Sequence, residues 1–215
     1  MSDARSAILG AIRHALGPEP RDTAQIMSEA NALLAQPERG RPPLGQGSLV
    51  DQFAARLVEP KIGASVARVG TLDAIPGAVA RILNGVGLPK AIAVQPASEL
   101  LRLDWSGFET KQTIGPDEAV AVGLALWGIA ETGSLVFHSG PDSPTLFDFF
   151  PMHHIVAVRA DRVLAYLEDY ATLAGSPLPR NVNIITGASG TTDIEGTLVK
   201  GAHGPGYLHV IIVEA

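Results

Sequence analysis

SVARVGTLDAIPGAVARILNGVGLPKAIAV, residues 65–94, carries the strongest fold signal in the chain. It reads as a strand over 65–69, a helix over 74–83 and a second strand over 90–94. A strand that is apolar at consecutive positions is buried on both faces, and a helix between two such strands returns the chain for parallel pairing. The alternation continues outward from this unit. A helix is predicted over 49–58, strands over 128–130, 134–138, 155–159, 182–186 and 208–213, and another helix over 162–173. The expected domain is α/β, covers residues 47–215, and has three layers: a mostly parallel sheet with helices on both faces. No internal repeat is visible.

Ahead of it, Ile8, Ile12, Ala15 and Leu16 fall on one side of a helix over residues 4–16, which Gly17-Pro18 ends. Residues 17–46 are rich in Pro, Gly, Arg and polar side chains, broken by a second predicted helix over 24–35. Residues 1–46 are read as an N-terminal helical arm and linker.

Composition narrows the function. With 215 residues and 46% apolar content the chain has ample material for a core. Sixteen Lys and Arg stand against 22 Asp and Glu, a formal charge of −6 with no basic run to track a phosphate backbone, so nucleic acid is not an expected partner. Cysteine is absent, which excludes disulfides, thiolate zinc sites, nucleophilic thiols and cysteine-ligated iron–sulfur clusters within this sequence. Residues 1–17 carry charges through their apolar stretch and do not read as a secretory signal, and no apolar run reaches the roughly 20 residues of a membrane span. A cytoplasmic location is expected.

Three segments carry candidate chemistry. In Ala130-Glu131-Thr132-Gly133-Ser134 one carboxylate interrupts an apolar stretch, and Thr132-Gly133 makes a tight connection between two strands. Glu131 at a strand end is suited to act as acid, base or nucleophile; capping the turn by accepting backbone N–H bonds is an equal alternative. The second, from Ile184 to Glu195, runs a strand into the loop Thr186-Gly187-Ala188-Ser189-Gly190-Thr191-Thr192-Asp193 and is expected to open a helix. Its N–H groups and hydroxyls suit a phosphate or carboxylate, whereas an N-cap by Thr191 or Thr192 is the plainer explanation. The third, from Lys200 through His203-Gly204-Pro205-Gly206 to His209, offers glycine backbone, positive charge and two histidines.

Five of the six histidines lie from His138 onward. A metal site is not expected: no zincin-type spacing is present, and adjacent His153 and His154 in a strand would point to opposite sides. The loop over 139–150, with Leu146, Phe147, Phe149 and Phe150, is expected to pack on its own domain.

The blocks Ile129-Ala130-Glu131-Thr132-Gly133-Ser134, His154-Ile155, Ile185-Thr186-Gly187, Thr192-Asp193-Ile194-Glu195 and His203-Gly204-Pro205, with Leu208-His209-Val210, resemble the lactate-utilisation (LUD-domain) family in order and spacing. Lack of cysteine points to its lactate-utilisation protein C branch, which carries no iron–sulfur ligands. The resemblance implies a part in oxidising L-lactate to pyruvate, with iron–sulfur clusters only in partner subunits and no cofactor in this chain. It also implies a fold similar to ribose-5-phosphate isomerase and the CoA-transferases. Where the family's glycine loop carries a proline and an arginine, this sequence has Ala188 and Gly190, so the loop lacks a bidentate anion partner that Lys200 would have to replace.

The competing reading is a stand-alone enzyme or a sensor for a small phosphorylated or acyl metabolite. In either case the expected cleft comprises Glu131 as catalytic group with Thr132, Gly133, Thr186, Gly187, Ser189, Thr191, Asp193, Glu195, Lys200, His203 and Gly204 as ligand-binding residues. They are expected to converge where strand ends and glycine loops meet.

Overall fold

The computed structural model describes residues 2–17, 22–192 and 198–214. The chain falls into two compact units, Met1–Pro43 and Leu44–Ala215. The first holds α1 (Ser2–Leu16) and α2 (Thr23–Ala35), which expose Ile8, Ile12, Leu16, Leu33 and Leu34.

The second unit begins with α3 (Leu49–Leu57), β1 (Ser65–Val69), α4 (Ile75–Val86), β2 (Ala91–Val94), α5 (Ser98–Leu101), β3 (Glu109–Lys111) and β4 (Val120–Leu124). It continues with β5 (Trp127–Ile129), β6 (Ser134–His138), α6 (Leu146–Phe149), β7 (His153–Arg159), β8 (Val163–Leu164) and α7 (Leu167–Leu173). Last come β9 (Val182–Thr186), β10 (Gly190–Thr192), β11 (Leu198–Lys200) and β12 (Tyr207–Val213).

Six strands form a parallel sheet in the order β1-β12-β7-β4-β2-β3. On β7 the side chains alternate between two cores. Ile155 and Ala157 pack with Ile75, Val79 and Leu83 of α4 and with Leu100 of α5. Val156 and Val158 pack with Phe53 and Leu57 of α3 and with Leu135 and Phe137 of β6. Both faces are covered over the inner strands, which is why β12, β7, β4 and β2 are largely apolar while the edge strands β1 and β3 are not; the mostly parallel α/β sheet flanked by helices is the expected architecture.

The composition of the second face differs from expectation. The strands predicted over 128–130, 134–138 and 182–186 leave the parallel sheet and form a second one, ordered β8-β5-β6-β9, in which β6 runs antiparallel to both β5 and β9. β5 and β6 also read as apolar runs because they too are buried on both sides, whereas β9, with Asn183 and the exposed Ile184, is only partly covered. Leu135 and Phe137 face the parallel sheet, while Ile129 and Val136 pack on Tyr170 of α7. Apolar continuity reports burial on two sides, not strand direction.

Two local differences follow. The segment predicted as a helix over 162–173 begins with β8, which pairs with β5, and becomes α7 only at Leu167. The glycine loop after β9 opens the β10–β11 hairpin rather than a helix. No helix among the described residues is long and apolar enough to cross a membrane.

Candidate functional site

All six strands of the parallel sheet start at one edge, and the glycine loops gather there, beside the first residues of β1, β7 and β12. This is the amino-terminal edge, opposite to the carboxyl-end crevice usual in open α/β sheets. The loop after β9 is stitched into place by its backbone. Gly187 has φ +79° and sits against Ile62. The Ala188 N–H donates to the Ile62 carbonyl (3.2 Å) and the Ser189 N–H to that of Pro205 (2.7 Å), while Ser189 accepts from the Gly201 N–H (3.1 Å). Ser189 also lies over Gly204, whose own added Cβ would be 3.5 Å from the Ser189 Cβ. Two N–H groups expected to face an anion are therefore spent on holding the loops together.

A cleft of about 370 Å³ remains between these loops and the turn that follows α3, lined by Lys61, Gly63, Ser189, Gly190, Lys200 and Tyr207 among others. Two ammonium groups and a hydroxyl give it the character of a small-anion site. Lys200 carries its ammonium 4.8 Å from the centre of the Tyr207 ring. Lys61 was not singled out in the sequence; it becomes visible only when residues 60–63 come to lie against residues 187–189.

Of the predicted residues, Ser189 and Lys200 line this cleft, and the other described ones lie outside its lining. Thr132 and Ser134 share a hydrogen bond of 2.6 Å, as do Ser134 and Thr186, so a chain of hydroxyls links the Glu131-Thr132-Gly133 turn to the start of the glycine loop. The turn packs on the last turn of α3: a Cβ on Gly133 would come within 2.9 Å of the Arg56 Cγ. Glu131 is half-buried, and its N–H donates to the Ala165 carbonyl (3.0 Å). Its carboxylate makes no hydrogen bond or ion pair among the described residues, so the turn-capping alternative is not formed there. Thr191 is exposed in β10, His203 is exposed in its loop and Gly204 is buried beneath Ser189. Asp193 and Glu195 lie outside the described residues.

The sequence singles out His209 and His153 but not Ser65, and it does not reveal that the three form a row at the starts of β1, β12 and β7. Ser65 and His209 are register partners, and the Ser65 hydroxyl lies 2.7 Å from His209 Nδ1. His209 Nε2 lies 3.2 Å from His153 Nδ1. The His153 ring is stacked between Tyr207 and His209, at 4.5 and 5.5 Å. Burial depresses the pKa of both imidazoles, that of His209 to about 4, with the neighbouring His153 adding to the effect.

His154 points to the opposite face, as adjacent strand residues must. It is fully buried against Phe137, neither ring nitrogen has a hydrogen-bond partner, and burial lowers its pKa to about 3. On α6, Asp148 is buried, accepts a 2.8 Å hydrogen bond from Asn183 and has its pKa raised to about 7 by burial. Beside it Phe147 fills the core, whereas Leu146, Phe149 and Phe150 stay exposed. No group of three or more His, Asp and Glu among the described residues is placed to hold a metal ion.

The family model of the LUD domain matches residues 65–213, from the first residue of β1 to the last of β12. The chain belongs to the LUD-domain family. "Lactate utilization protein C" of Deinococcus radiodurans is 29% identical over 80% of this chain and 82% of its own length. The protein of the same name from Geobacillus thermodenitrificans is 32% identical over 55% of this chain and 52% of its own. The uncharacterised protein YkgG of Escherichia coli is 29% identical over 51% of each. In fold, the LUD-domain chain is similar to the crystal structure of a DUF162 family protein from Deinococcus radiodurans. The TM-score is 0.59 at 22% identity, covering 80% of this chain and 99% of that one. The family match begins at Ser65 and ends at Val213, so it takes in the serine–histidine row and both glycine loops, while Lys61 lies just before it.

Proposed function

We propose that this LUD-domain protein works in lactate utilisation, taking part in the oxidation of L-lactate to pyruvate together with iron–sulfur partner subunits. The observation that carries the reading is the family match across the whole parallel sheet, joined to relatives named for lactate utilisation. The cleft supports it chemically. Lys61 and Lys200 flank a space of about 370 Å³, a volume and charge suited to a small carboxylate. Electrons released on oxidation need an acceptor, and a chain without cysteine has no ligands of its own for a cysteine-bound cluster, so the reading assigns that task to partners.

Lactate-dependent dye reduction in extracts of the source organism tests this. A strain lacking the chain should lose the activity and regain it when the wild type is restored. Activity that survives the deletion overturns the reading.

A further inference from the structure

Ser65, His209 and His153 form one continuous hydrogen-bonded row across three strands, at the same sheet edge as the cleft. Ser65 is an exposed residue of the outermost strand whose hydrogen bond to His209 is partly buried, whereas His209 is only 7% exposed and cannot turn away from it. Register explains the contact: Ser65 stands directly opposite His209 in the parallel pair, with both side chains on one face. The His209 ring is held on its other side by the parallel ring of His153, 5° away in tilt, and that ring by Tyr207 at 11°. With both imidazoles neutral, one polarity of the row has the Ser65 O–H donating to His209 Nδ1 and the His209 Nε2–H donating to His153 Nδ1. A hydroxyl bonded to a neutral imidazole that is itself oriented by a second acceptor is the arrangement of an activated nucleophile.

The geometry points to Ser65 as a nucleophile for acyl transfer, with His209 as its base, His153 as the positioning residue, and an acyl ester or thioester bearing an anionic group as the substrate class. The cleft supplies the second half of the argument. It begins at Gly63, two residues before Ser65, and ends at Tyr207, which touches His153 and carries Lys200. Ser65, His209 and His153 do not line the cleft themselves; the row meets it through Tyr207, so a substrate whose anionic group is held by Lys61 and Lys200 would have to extend past that ring to Ser65. In the reaction the Ser65 O–H bond breaks and its proton goes to His209 Nδ1, as the His209 Nε2 proton passes to His153. The oxygen bonds to the acyl carbon, and the leaving alkoxide or thiolate departs with the proton returned through His209. Water then releases the acid and regenerates the hydroxyl by the reverse proton path.

This inference uses the cleft but not the lactate assignment, and its test needs neither lactate nor a partner protein. The purified full chain is treated with a fluorophosphonate and digested with trypsin. Residues 62–68, IGASVAR, contain Ser65 as their one serine, and residues 91–102, AIAVQPASELLR, contain the exposed Ser98, which bonds Glu99 instead of a histidine. Ser65 should be modified about a hundredfold faster than Ser98. Ser65→Ala should remove the label, and His209→Gln should slow it to the Ser98 rate. His153→Gln, which replaces a partly exposed ring, should slow it and shift its pH profile, and stands in if the buried His209 variant does not fold. p-Nitrophenyl acetate should acetylate the same peptide with a burst of p-nitrophenolate. Labelling of Ser65 at the Ser98 rate, or labelling indifferent to both histidine variants in folded protein, overturns the proposal.

Discussion

Gly187 lies so close to Ile62 that a Cβ at position 187 would fall 2.6 Å from the Ile62 carbonyl oxygen. Its φ of +79° is also one that side-chain-bearing residues rarely adopt. The neighbouring Ala188 N–H bonds that same carbonyl, so the contact joins the glycine loop to the floor of the cleft. Gly187→Ala meets backbone, which cannot move aside like the end of a side chain. The expected cost is about 2–4 kcal/mol of stability, read as a lower midpoint in urea denaturation. An alanine variant as stable as the wild type would show that the loop is not held in this way.

Asp148 makes stability fall as pH rises. Its pKa is about 7 in the folded protein against 3.8 when exposed, because burial disfavours the charged form more than the bond from Asn183 favours it. The folded state therefore holds a proton that the unfolded state releases between those values. The group costs nothing below about pH 4, and its penalty grows to a plateau above pH 7. At about 1.4 kcal/mol per pH unit the full effect is on the order of 4 kcal/mol. Asp148→Asn keeps an oxygen to accept from Asn183 and removes the charge. The variant should match the wild type at pH 4 and exceed it increasingly towards pH 8, measured by denaturant titration across that range.

Lys61 and Lys200 should be separable from the fold. Both are exposed, and neither is bonded into the core. If their ammonium groups hold a small carboxylate, L-lactate or pyruvate at about ten times its Kd adds roughly 1.4 kcal/mol of stability, a rise of a few degrees in Tm. Lys61→Glu together with Lys200→Glu should abolish that rise while leaving the ligand-free Tm nearly unchanged. A rise that persists in the double variant places the carboxylate elsewhere.

Glu131 offers the cleanest division between folding and function. Its carboxylate is half-buried with no partner among the described residues, so Glu131→Gln should change stability by less than about 1 kcal/mol. The same variant should fail to restore lactate-dependent dye reduction in the deletion strain. Full restoration would remove Glu131 from the functional residues and leave the cleft beneath Ser189 as the site to pursue.

Periodicity and residue type made much of this molecule legible in advance. The strands at 65–69 and 208–213 and the helices beginning near residues 49 and 75 are where their apolar spacing put them. Likewise, the turn at Thr132-Gly133 joins two adjacent strands. Direction and partnership were not legible. β6 and β7 are equally apolar, yet one is antiparallel in the small sheet and the other central in the parallel one, because each is covered on both sides and its sequence records only that cover. β4, between charged and glycine-rich segments, also escaped the reading; it is placed by filling the gap between β2 and β7.

The sequence by itself determined the class of fold, the absence of thiol chemistry and the two glycine loops, since local periodicity, composition and turn chemistry act within a few residues. Only the tertiary structure decided that these loops meet at the amino-terminal edge, that Lys61 faces Ser189 and Lys200, and that Ser65 touches His209 across 144 positions of chain. Such contacts come from burying two faces of one parallel sheet, which sets the order and register of strands far apart in sequence. No spacing rule within a single segment encodes them.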